Sequence, residues 1–513
     1  MQFYSVQFLA LVLILMLLYY TIFKKRQWIL LLIGSMVFYF LLGREFICAV
    51  LGISFVVWLF GRITSGMNKS YKEQKNQKGI SREEKKQLKA FFTRKKRVIL
   101  IITVVLIIGN LAVFKILNFR YGILLPIGIS FYTFQALSYY FDIYMDKYEH
   151  EGNYLRFLLY VSWFPQMIQG PISRYDSLGL QFKEEHSFDP NNIKHAVFLF
   201  ALGMLKKFAI ADVLVPVVNS VFSDPANASG SMIVMGTVCS LIQLYCDFSG
   251  GIDMVLATSE LFGLRLKDNF NQPYFSPSLA DFWHRWHITL GDWMRDYIFY
   301  PLAVTKPMLN LIKWGTKHLG SAGRILPAIV GNIVVFFLVG VWHGTGWNYV
   351  LWGLYNGIII SVGELLKPAF DKTTQALHIR VDGPGLKLWR IIRTDLLVGL
   401  GEIIVMVGSV SYIPAVISHF FTRPDFAMND FHAVLDSTIL KSDGRIAIVI
   451  FLIIACVILI VRSVMRERGT DMREWILSKK VVASSAIFCL LIFTTLSAFI
   501  YQNVQGGFMY ANF

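Results

Sequence analysis

Cysteine is scarce in this chain, and its placement argues against two kinds of stabilising site. The five cysteines are an odd, scattered set confined to apolar stretches: Cys48, Cys239, Cys246, Cys456 and Cys489. Because no CxxC pair occurs among them, neither a disulfide framework nor a zinc cluster is expected. Thiols in such surroundings are typical of packed hydrophobic cores.

Charged residues are also few. They make up 16% of the 513 residues, against 55% hydrophobic residues and a mean hydropathy of +0.54. This composition excludes an ordinary soluble domain and indicates a polytopic membrane protein. Twelve apolar runs recur along the chain: Phe3–Phe23, Trp28–Leu42, Phe46–Phe60, Val98–Phe114, Ile123–Tyr144, Ala196–Phe222, Met232–Phe262, Ile325–Val341, Tyr349–Leu366, Leu396–Phe421, Ile446–Val461 and Val481–Ile500. Several are shorter than the ~20 residues that an upright crossing needs.

The chain lacks the marks of a soluble enzyme domain. Its longest polar stretches, around 64–97 and 423–445, are too short to bury a core of their own. It also lacks a GxSxG elbow, a Walker-type Gly-Lys-Ser/Thr sequence and a GxGxxG sequence, so serine-hydrolase, ATPase and dinucleotide chemistry has no support. Any chemistry is therefore expected inside the membrane body.

The basic residues indicate how the chain is oriented. Between Thr64 and Arg97 twelve Lys/Arg face three acids, and Lys24-Lys25-Arg26 separates the first two apolar runs. By the positive-inside rule both loops are cytoplasmic, as is the basic 462–480 connection, so both termini are predicted to lie outside a plasma membrane. Topology explains these loops better than nucleic-acid binding, because no nucleic-acid-reading module accompanies them.

The region 247–357 differs from the rest because Trp, Tyr, Gly, His, Arg and Asp interrupt its apolar runs. Sixteen of its residues, 282–297, hold three Trp, two His and two Arg. If this segment is one helix, the three Trp and His287 lie near one face. Such helices prefer the membrane interface or line a cavity entered from it.

His343 is the most informative single residue. It ends an apolar stretch and is flanked by Trp342 and Gly344. A charged group at membrane depth is costly, and burial disfavours the imidazolium, so a neutral, proton-accepting ring is expected. A general base needs that state. A structural role for His343 stays open on the residues alone.

Three other polar features allow two interpretations each. His287 can be an interfacial packing residue or a chemical one. His284 and His287 form an HxxH pair, but catalytic zinc usually takes three protein ligands and HExxH is absent, so no metal site is predicted. Lys206-Lys207 can anchor the chain at the membrane edge or contact a phosphate.

Five motifs follow one another in the central part of the chain: Tyr245-Cys246-Asp247-Phe248-Ser249-Gly250, Asn269-Phe270-Asn271-Gln272-Pro273-Tyr274, Asp281-Phe282-Trp283-His284-Arg285-Trp286-His287, Arg295-Asp296-Tyr297 and Val341-Trp342-His343-Gly344. Two more precede them: Leu125-Pro126-Ile127-Gly128-Ile129-Ser130-Phe131-Tyr132-Thr133-Phe134-Gln135 and Phe164-Pro165-Gln166-Met167-Ile168-Gln169-Gly170-Pro171-Ile172. In this order the motifs resemble the core of the membrane-bound O-acyltransferase (MBOAT) family, and the earlier pair resembles its bacterial branch. The closing 508–513 is similar to the tail of the alginate O-acetyltransferase subgroup.

The resemblance implies an all-α polytopic membrane protein. It would form a ring of about 11–13 transmembrane helices around a central cavity or tunnel, with re-entrant and interfacial helices, consistent with the twelve apolar runs. The implied parts are N-terminal helices 1–120 with the basic loop 64–97, a catalytic core 121–366 and C-terminal helices 367–513.

The resemblance also implies the roles of several residues. His343 stands at the family's near-universal histidine, and His287 at its second, His-or-Asn position. The expected substrate-binding residues are Trp286, Arg285, Trp342, Asn271, Arg295, Asp296 and Gln135.

These expectations combine into a hypothesis of O-acyl transfer. His343 would take the proton of an acceptor hydroxyl that attacks a thioester carbonyl, and His287 would orient His343 or the donor, or stabilise the oxyanion. No bound cofactor is expected, and the co-substrate is a cytoplasmic acyl thioester, most simply acetyl-CoA. The expected partners are the lipid bilayer, a polysaccharide acceptor and an extracytoplasmic SGNH-hydrolase-like transferase.

Other functions stay open on the sequence. In the same family, D-alanyl transfer for teichoic acid D-alanylation is the alternative. A transporter or channel, in which the histidines relay protons or solute, is an alternative of another class. A scaffold that anchors an external enzyme is a third.

Overall fold

The computed structural model describes residues 2–126, 128–381, 383–424, 445–479 and 481–501. Within these ranges the chain is built from helices, and the sole β pairing is an isolated antiparallel bridge between Phe270 and Trp286. The prediction of an all-α polytopic membrane protein is confirmed. The C-terminal motif 508–513 lies outside the described residues, and the orientation of both termini stays a prediction.

The α-helices are numbered here in chain order. The first ten are α1 Val6–Thr21, α2 Gln27–Leu42, α3 Arg44–Lys75, α4 Arg82–Tyr121, α5 Ile129–Tyr144, α6 Tyr154–Ser162, α7 Pro165–Ile168, α8 Pro190–Leu205, α9 Asp212–Phe222 and α10 Gly230–Glu260. The remainder are α11 Leu279–Arg285, α12 Ile288–Met294, α13 Tyr300–Ala303, α14 Lys306–Leu319, α15 Leu326–His343, α16 Trp347–Ala376, α17 Pro384–Met406, α18 Ile413–Thr422, α19 Arg445–Glu467, α20 Met472–Leu477 and α21 Val481–Tyr501. Short π-helices cover Tyr175–Gly179, Lys206–Ala211 and Arg295–Phe299, and 3₁₀ turns cover Pro273–Phe275, Gly320–Ile325 and Val410–Tyr412.

Six of the described helices are long and apolar enough to cross a membrane: Ile47–Lys75, Arg82–Tyr121, Gly230–Glu260, Ala322–His343, Trp347–Ala376 and Ile446–Glu467. A seventh crossing results if α17 and the Val410–Thr422 segment, which are bent by 120°, form one broken span. Three shorter apolar helices accompany them: Val6–Thr21, Gln27–Leu42 and Ser484–Ser497. The predicted ring of about 11–13 crossings stays a prediction, since several apolar runs are too short to cross upright.

Helix contacts divide the chain into two units. Of the described residues, one unit comprises those within 2–197 and 255–267, and the other comprises those within 198–254, 268–424 and 445–501. The sequence-based division into 1–120, 121–366 and 367–513 stays a prediction.

The first unit is built around aromatic side chains and carries the basic loop. Trp163 is fully buried, donates a hydrogen bond from Nε1 to Ser259 Oγ at 3.0 Å and packs against Phe262. Helix α4 begins with a capping box formed by Ser81 and Glu84 and has 40 residues. At 1.5 Å per residue it is about 60 Å long, roughly twice the ~30 Å hydrocarbon thickness, so its basic N-terminal part extends beyond the lipid core.

In the second unit, a close helix crossing buries two lysines. The apolar run 196–222 is interrupted by the π-helix Lys206–Ala211, which places both lysines against α10. Lys206 Nζ lies 2.7 Å from Asp253 Oδ2 and 3.0 Å from Ser249 Oγ. Lys207 Nζ lies 2.8 Å from both Asp247 and Asp212.

These contacts explain one motif and correct an expectation. Both lysines are buried and bound to carboxylates, so neither the membrane-edge anchor nor the phosphate contact describes them. The Tyr245–Gly250 motif supplies Asp247 and Ser249 as partners. Its last residue, Gly250, lets α8 approach, since a Cβ on Gly250 would lie 2.8 Å from the Gly203 carbonyl oxygen. Gly203 is needed for the same reason, because a Cβ there would lie 2.6 Å from the Gly250 carbonyl oxygen.

Substituting Gly203 tests this crossing. We expect Gly203→Ala to destabilise the protein by about 1–3 kcal/mol, because the added methyl overlaps a backbone atom that cannot move aside. Thermal unfolding in detergent micelles measures the change. Gly109→Ala is the matched control, since a Cβ there meets no atom within 4 Å. Equal stability of both variants would contradict this description of the crossing.

Candidate active site

His287 lies in a break between two short helices. Helix α11 ends at Arg285, and α12 begins at Ile288. His287 itself has φ 46° and ψ 52°, the left-handed region that few residues other than glycine adopt. The prediction that the three Trp and His287 share one face of a continuous helix is therefore wrong. The segment 269–271 competes with a continuous helix, because its backbone pairs with that of residues 285–288.

Asn269 fixes the position of His287. Its carbonyl oxygen accepts the N–H of Ile288 at 3.0 Å, and Asn271 N–H donates to the Arg285 carbonyl at 2.9 Å. Asn269 Oδ1 also accepts the N–H and the hydroxyl of Thr289, at 3.0 and 2.9 Å. The same oxygen lies 3.3 Å from Nδ1 of His287. Two backbone bonds and one amide oxygen therefore hold the histidine.

These contacts define the protonation state of His287. A backbone N–H can only donate, so Thr289 identifies the Asn269 atom as the amide oxygen, an acceptor. Nδ1 of His287 must therefore carry the ring proton, and Nε2 keeps its lone pair. Burial, followed by the nearby His343, lowers the pKa of His287 to about 3. The ring is neutral at physiological pH.

Both predicted histidines line one cavity of about 280 Å³ in the second unit. His343, the last residue of α15, packs its ring edge-on against Trp342 at 4.7 Å and Trp352 at 5.3 Å between centroids. The Trp342 ring lies 6.5 Å from the His287 ring. Indole rings therefore form apolar walls beside both imidazoles. The chemical roles of the histidines stay predictions.

The predicted substrate-binding residues divide into two groups. Trp286 and Arg295 line the cavity, and Trp342 contacts both histidine rings. Arg295 lies 2.8 Å from Asp292 and 3.2 Å from Asp296, so its guanidinium is held at the rim by carboxylates.

The other predicted residues do not line this cavity. Arg285 binds Asp281 at 2.8 Å and Glu467. Asn271 is exposed and contributes its backbone N–H. Asp296 pairs with Arg295 at 3.2 Å. Gln135 belongs to the first unit, where its side chain is buried and donates to the Tyr160 carbonyl.

Sequence reasoning missed one wall of the cavity and the residue that holds His287. The wall is one face of α15, with members at helical spacing: Asn332, Val335, Phe336, Val339 and His343. Tracing positions i−4, i−7, i−8 and i−11 back from His343 would have found it. For Asn269 the residues gave no signal beyond its place in a motif. In the described ranges no group of three His, Cys, Asp or Glu side chains is placed to hold a metal ion.

The sequence model of the membrane-bound O-acyltransferase family, MBOAT, matches residues 145–312. This chain carries an MBOAT domain. His287, Asn269 and Trp286 lie inside the matched range, whereas His343 and α15 follow it. The catalytic candidates therefore come from the MBOAT domain and from the helix beyond it.

Several named proteins are similar to this chain over about half its length. A probable alginate O-acetylase AlgI of Azotobacter vinelandii is 35% identical over 50% of this chain and 48% of its own. A peptidoglycan O-acetyltransferase of Helicobacter pylori is 30% identical over 52% of each. A teichoic acid D-alanyltransferase of Bacillus subtilis is 28% identical over 46% of this chain and 58% of its own. The chain thus spans about half the length of the curated relatives it matches.

The low pKa of His287 predicts a loss of stability in acid. The folded ring has a pKa of about 3 against an ordinary 6.5, so between these values the unfolded chain binds a proton that the folded chain does not. Stability is full above pH 6.5 and falls as the pH falls. From pH 6.5 to 5, at about 1.4 kcal/mol per pH unit, the loss is about 2 kcal/mol.

Thermal unfolding in detergent at pH 7.5 and 5 measures this loss. His287→Asn should remove it, because asparagine tolerates the left-handed backbone and does not titrate there. His318→Asn, at an exposed position of α14, should retain it. An acid-induced decrease of the same size in His287→Asn and in the unsubstituted protein would contradict the assignment.

Proposed function

We propose that this protein is an O-acyltransferase that moves an acyl group, most simply acetyl, from a cytoplasmic thioester to an acceptor hydroxyl and across the membrane, for O-acylation of a cell-envelope polysaccharide. The observation that carries the proposal is the shared cavity, which His287 and His343 line together with Trp283 and Trp286. The MBOAT domain and the relatives named as O-acetylating enzymes support the same reaction class.

His343 is the proposed general base. As the acceptor oxygen attacks the thioester carbonyl carbon, its proton passes to the imidazole, and the tetrahedral intermediate then expels the thiolate. The imidazolium returns the proton to the departing sulfur, so the histidine ends neutral. In this proposal the apolar lining of the cavity, which includes Trp283 and Trp286, limits the competing hydrolysis of the thioester by water. A volume of about 280 Å³ suits the reacting ends of donor and acceptor rather than a whole polymer.

His287 acts as an orienting group in this proposal. Its Nδ1–H is directed to Asn269, so the nitrogen that remains, Nε2, accepts hydrogen bonds and does not donate them. A neutral acceptor cannot stabilise an oxyanion, which needs donors. It can instead accept an N–H or O–H of a substrate and hold it beside His343. Of the roles predicted for His287, the tautomer favours orientation.

The proposed reaction also indicates the chemical class of the acyl donor and of a partner protein. An acyl-CoA carries several phosphate charges, and the basic residues of 64–97 favour an anionic donor on the side predicted to be cytoplasmic. We propose that the acyl group then passes to a separate SGNH-hydrolase-like transferase outside the membrane, which completes the modification of the polysaccharide.

D-alanyl transfer to teichoic acid is the second candidate. The likeness to a protein named teichoic acid D-alanyltransferase, at 28% identity, favours it. Both reactions attack an acyl thioester with a hydroxyl, so the same cavity serves either one. Mass analysis of envelope polymers with and without the protein distinguishes them, since acetyl and D-alanyl groups differ in mass and in charge.

Replacing His343 tests the proposed base. We expect His343→Ala to lower the rate of acyl transfer by about 10²–10⁴, the usual contribution of a positioned general base. The transfer of a labelled acyl group to envelope polymers measures the rate, and size-exclusion chromatography in detergent checks folding. His318→Ala is the control, because this histidine is exposed on α14. Near-normal transfer by a folded His343→Ala protein would overturn the assignment.

A further inference from the structure

The C-terminal end of α19 contacts the segments that hold His287. Arg466 Nη2 lies 2.5 Å from Asp268 Oδ2, and the next residue, Glu467, binds the Arg285 guanidinium through Oε1. The partners are 198 and 182 residues apart in sequence. The described part of α19 thus ends with two adjacent, opposite charges, each bound to a complementary charge.

The two partners lie on the two segments that the β bridge joins. Asp268 comes directly before Asn269, which accepts from Ile288 and lies beside the His287 ring. Arg285 comes directly before Trp286, which is paired with Phe270 across the bridge. Both segments of the bridge beside His287 are therefore bound to the C-terminal end of α19.

We propose that Arg466 and Glu467 are positioning residues that act on His287 through a double ion-pair clamp. The clamp comprises the Arg466–Asp268 and Glu467–Arg285 pairs. The inference rests on the proposed function, because it assigns these residues to the orientation of an active-site histidine. Arg466 and Glu467 themselves lie beyond the matched MBOAT range of 145–312.

The order of charges gives the clamp one register. Arg466 attracts Asp268 and repels Arg285, while Glu467 attracts Arg285 and repels Asp268. Exchanging the partners would place like charges together. The end of α19 therefore favours one arrangement, with Arg466 on Asp268 and Glu467 on Arg285. Arg285 is fixed further by Asp281 of its own helix at 2.8 Å.

The burial of these groups separates the clamp from a chance surface contact. The side chains of Arg285 and Glu467 are 21% and 19% exposed, and that of Arg466 is 28% exposed. Asp268 is the one exposed member, at 56%. Ion pairs of this exposure add little to overall stability. Their effect is expected on the placement of the left-handed His287 loop, where displacements of about 1 Å matter for catalysis.

Substitutions that remove one charge at a time test the clamp. We expect Arg466→Gln and Glu467→Gln each to lower kcat about tenfold with little change in KM for the thioester, since orientation is lost and binding is kept. Asp268→Asn combined with Arg466→Gln should be no worse than either alone, because both remove one contact. Arg466→Lys, which keeps the charge, should restore kcat to within about twofold.

Hydrogen exchange gives a readout that does not depend on activity. In Arg466→Gln and Glu467→Gln we expect the amides of 269–291 to exchange about tenfold faster at an unchanged unfolding temperature. Arg468→Gln is the matched control: it removes one positive charge two residues from Arg466, at an exposed position. Its kcat and its exchange should equal those of the unsubstituted protein.

The failure of the clamp and the failure of the proposed function are distinguishable. If the unsubstituted protein transfers no acyl group, the proposed function is overturned. Unchanged exchange in 269–291 of the Gln variants overturns the clamp, whatever the activity. If acyl transfer is measured and His343→Ala abolishes it, while Arg466→Gln and Glu467→Gln keep full kcat, the clamp is wrong and the proposed acyl transfer stands.

Discussion

A neutral imidazole with its proton in a defined place is the condition on which the site depends. Asn269 meets that condition with one amide oxygen, which lies within 3.3 Å of His287 and Thr289 donors. Because His287 is buried, a ring proton on the wrong nitrogen would leave a buried polar atom without its partner, which costs about 1–3 kcal/mol. The break between α11 and α12, the β bridge and the left-handed backbone all serve to bring that oxygen and that ring together.

The second constraint is the satisfaction of polar backbone and charged groups away from water. The described segments meet it with regular helices, and at Lys206–Ala211 with a short π-helix. At Lys206-Lys207 the π-helix gives each lysine its own carboxylate. Near His287 the chain uses bridge hydrogen bonds for the same purpose. Regular helices and these local irregularities therefore both satisfy polar groups that lie away from water.

Composition predicted the fold class, because a high apolar content leaves a strong signal in a sequence. The motifs singled out two histidines, and the structure places both on one cavity, while their chemical roles stay predictions. The detailed geometry was harder to predict. Helical periodicity over 282–297 suggested one continuous helical face. The backbone pairing of 269–271 with 285–288 breaks that helix, and periodicity within a segment does not detect a contact with residues elsewhere in the sequence. The resemblance implied substrate contacts for Arg285 and Asn271, whereas in the structure the former binds Glu467 and the latter contributes its backbone N–H. The resemblance implied the same for Gln135, whose side chain is buried in the first unit.

The buried lysines constrain how the protein is assembled. Lys206 is synthesised 47 residues before its carboxylate partner Asp253, and an ammonium that is buried without a partner costs several kcal/mol. Lys207 has Asp212 in its own segment, but its second partner, Asp247, also belongs to α10. The π-helix is therefore expected to reach its buried position only together with α10, so the two elements depend on each other during assembly.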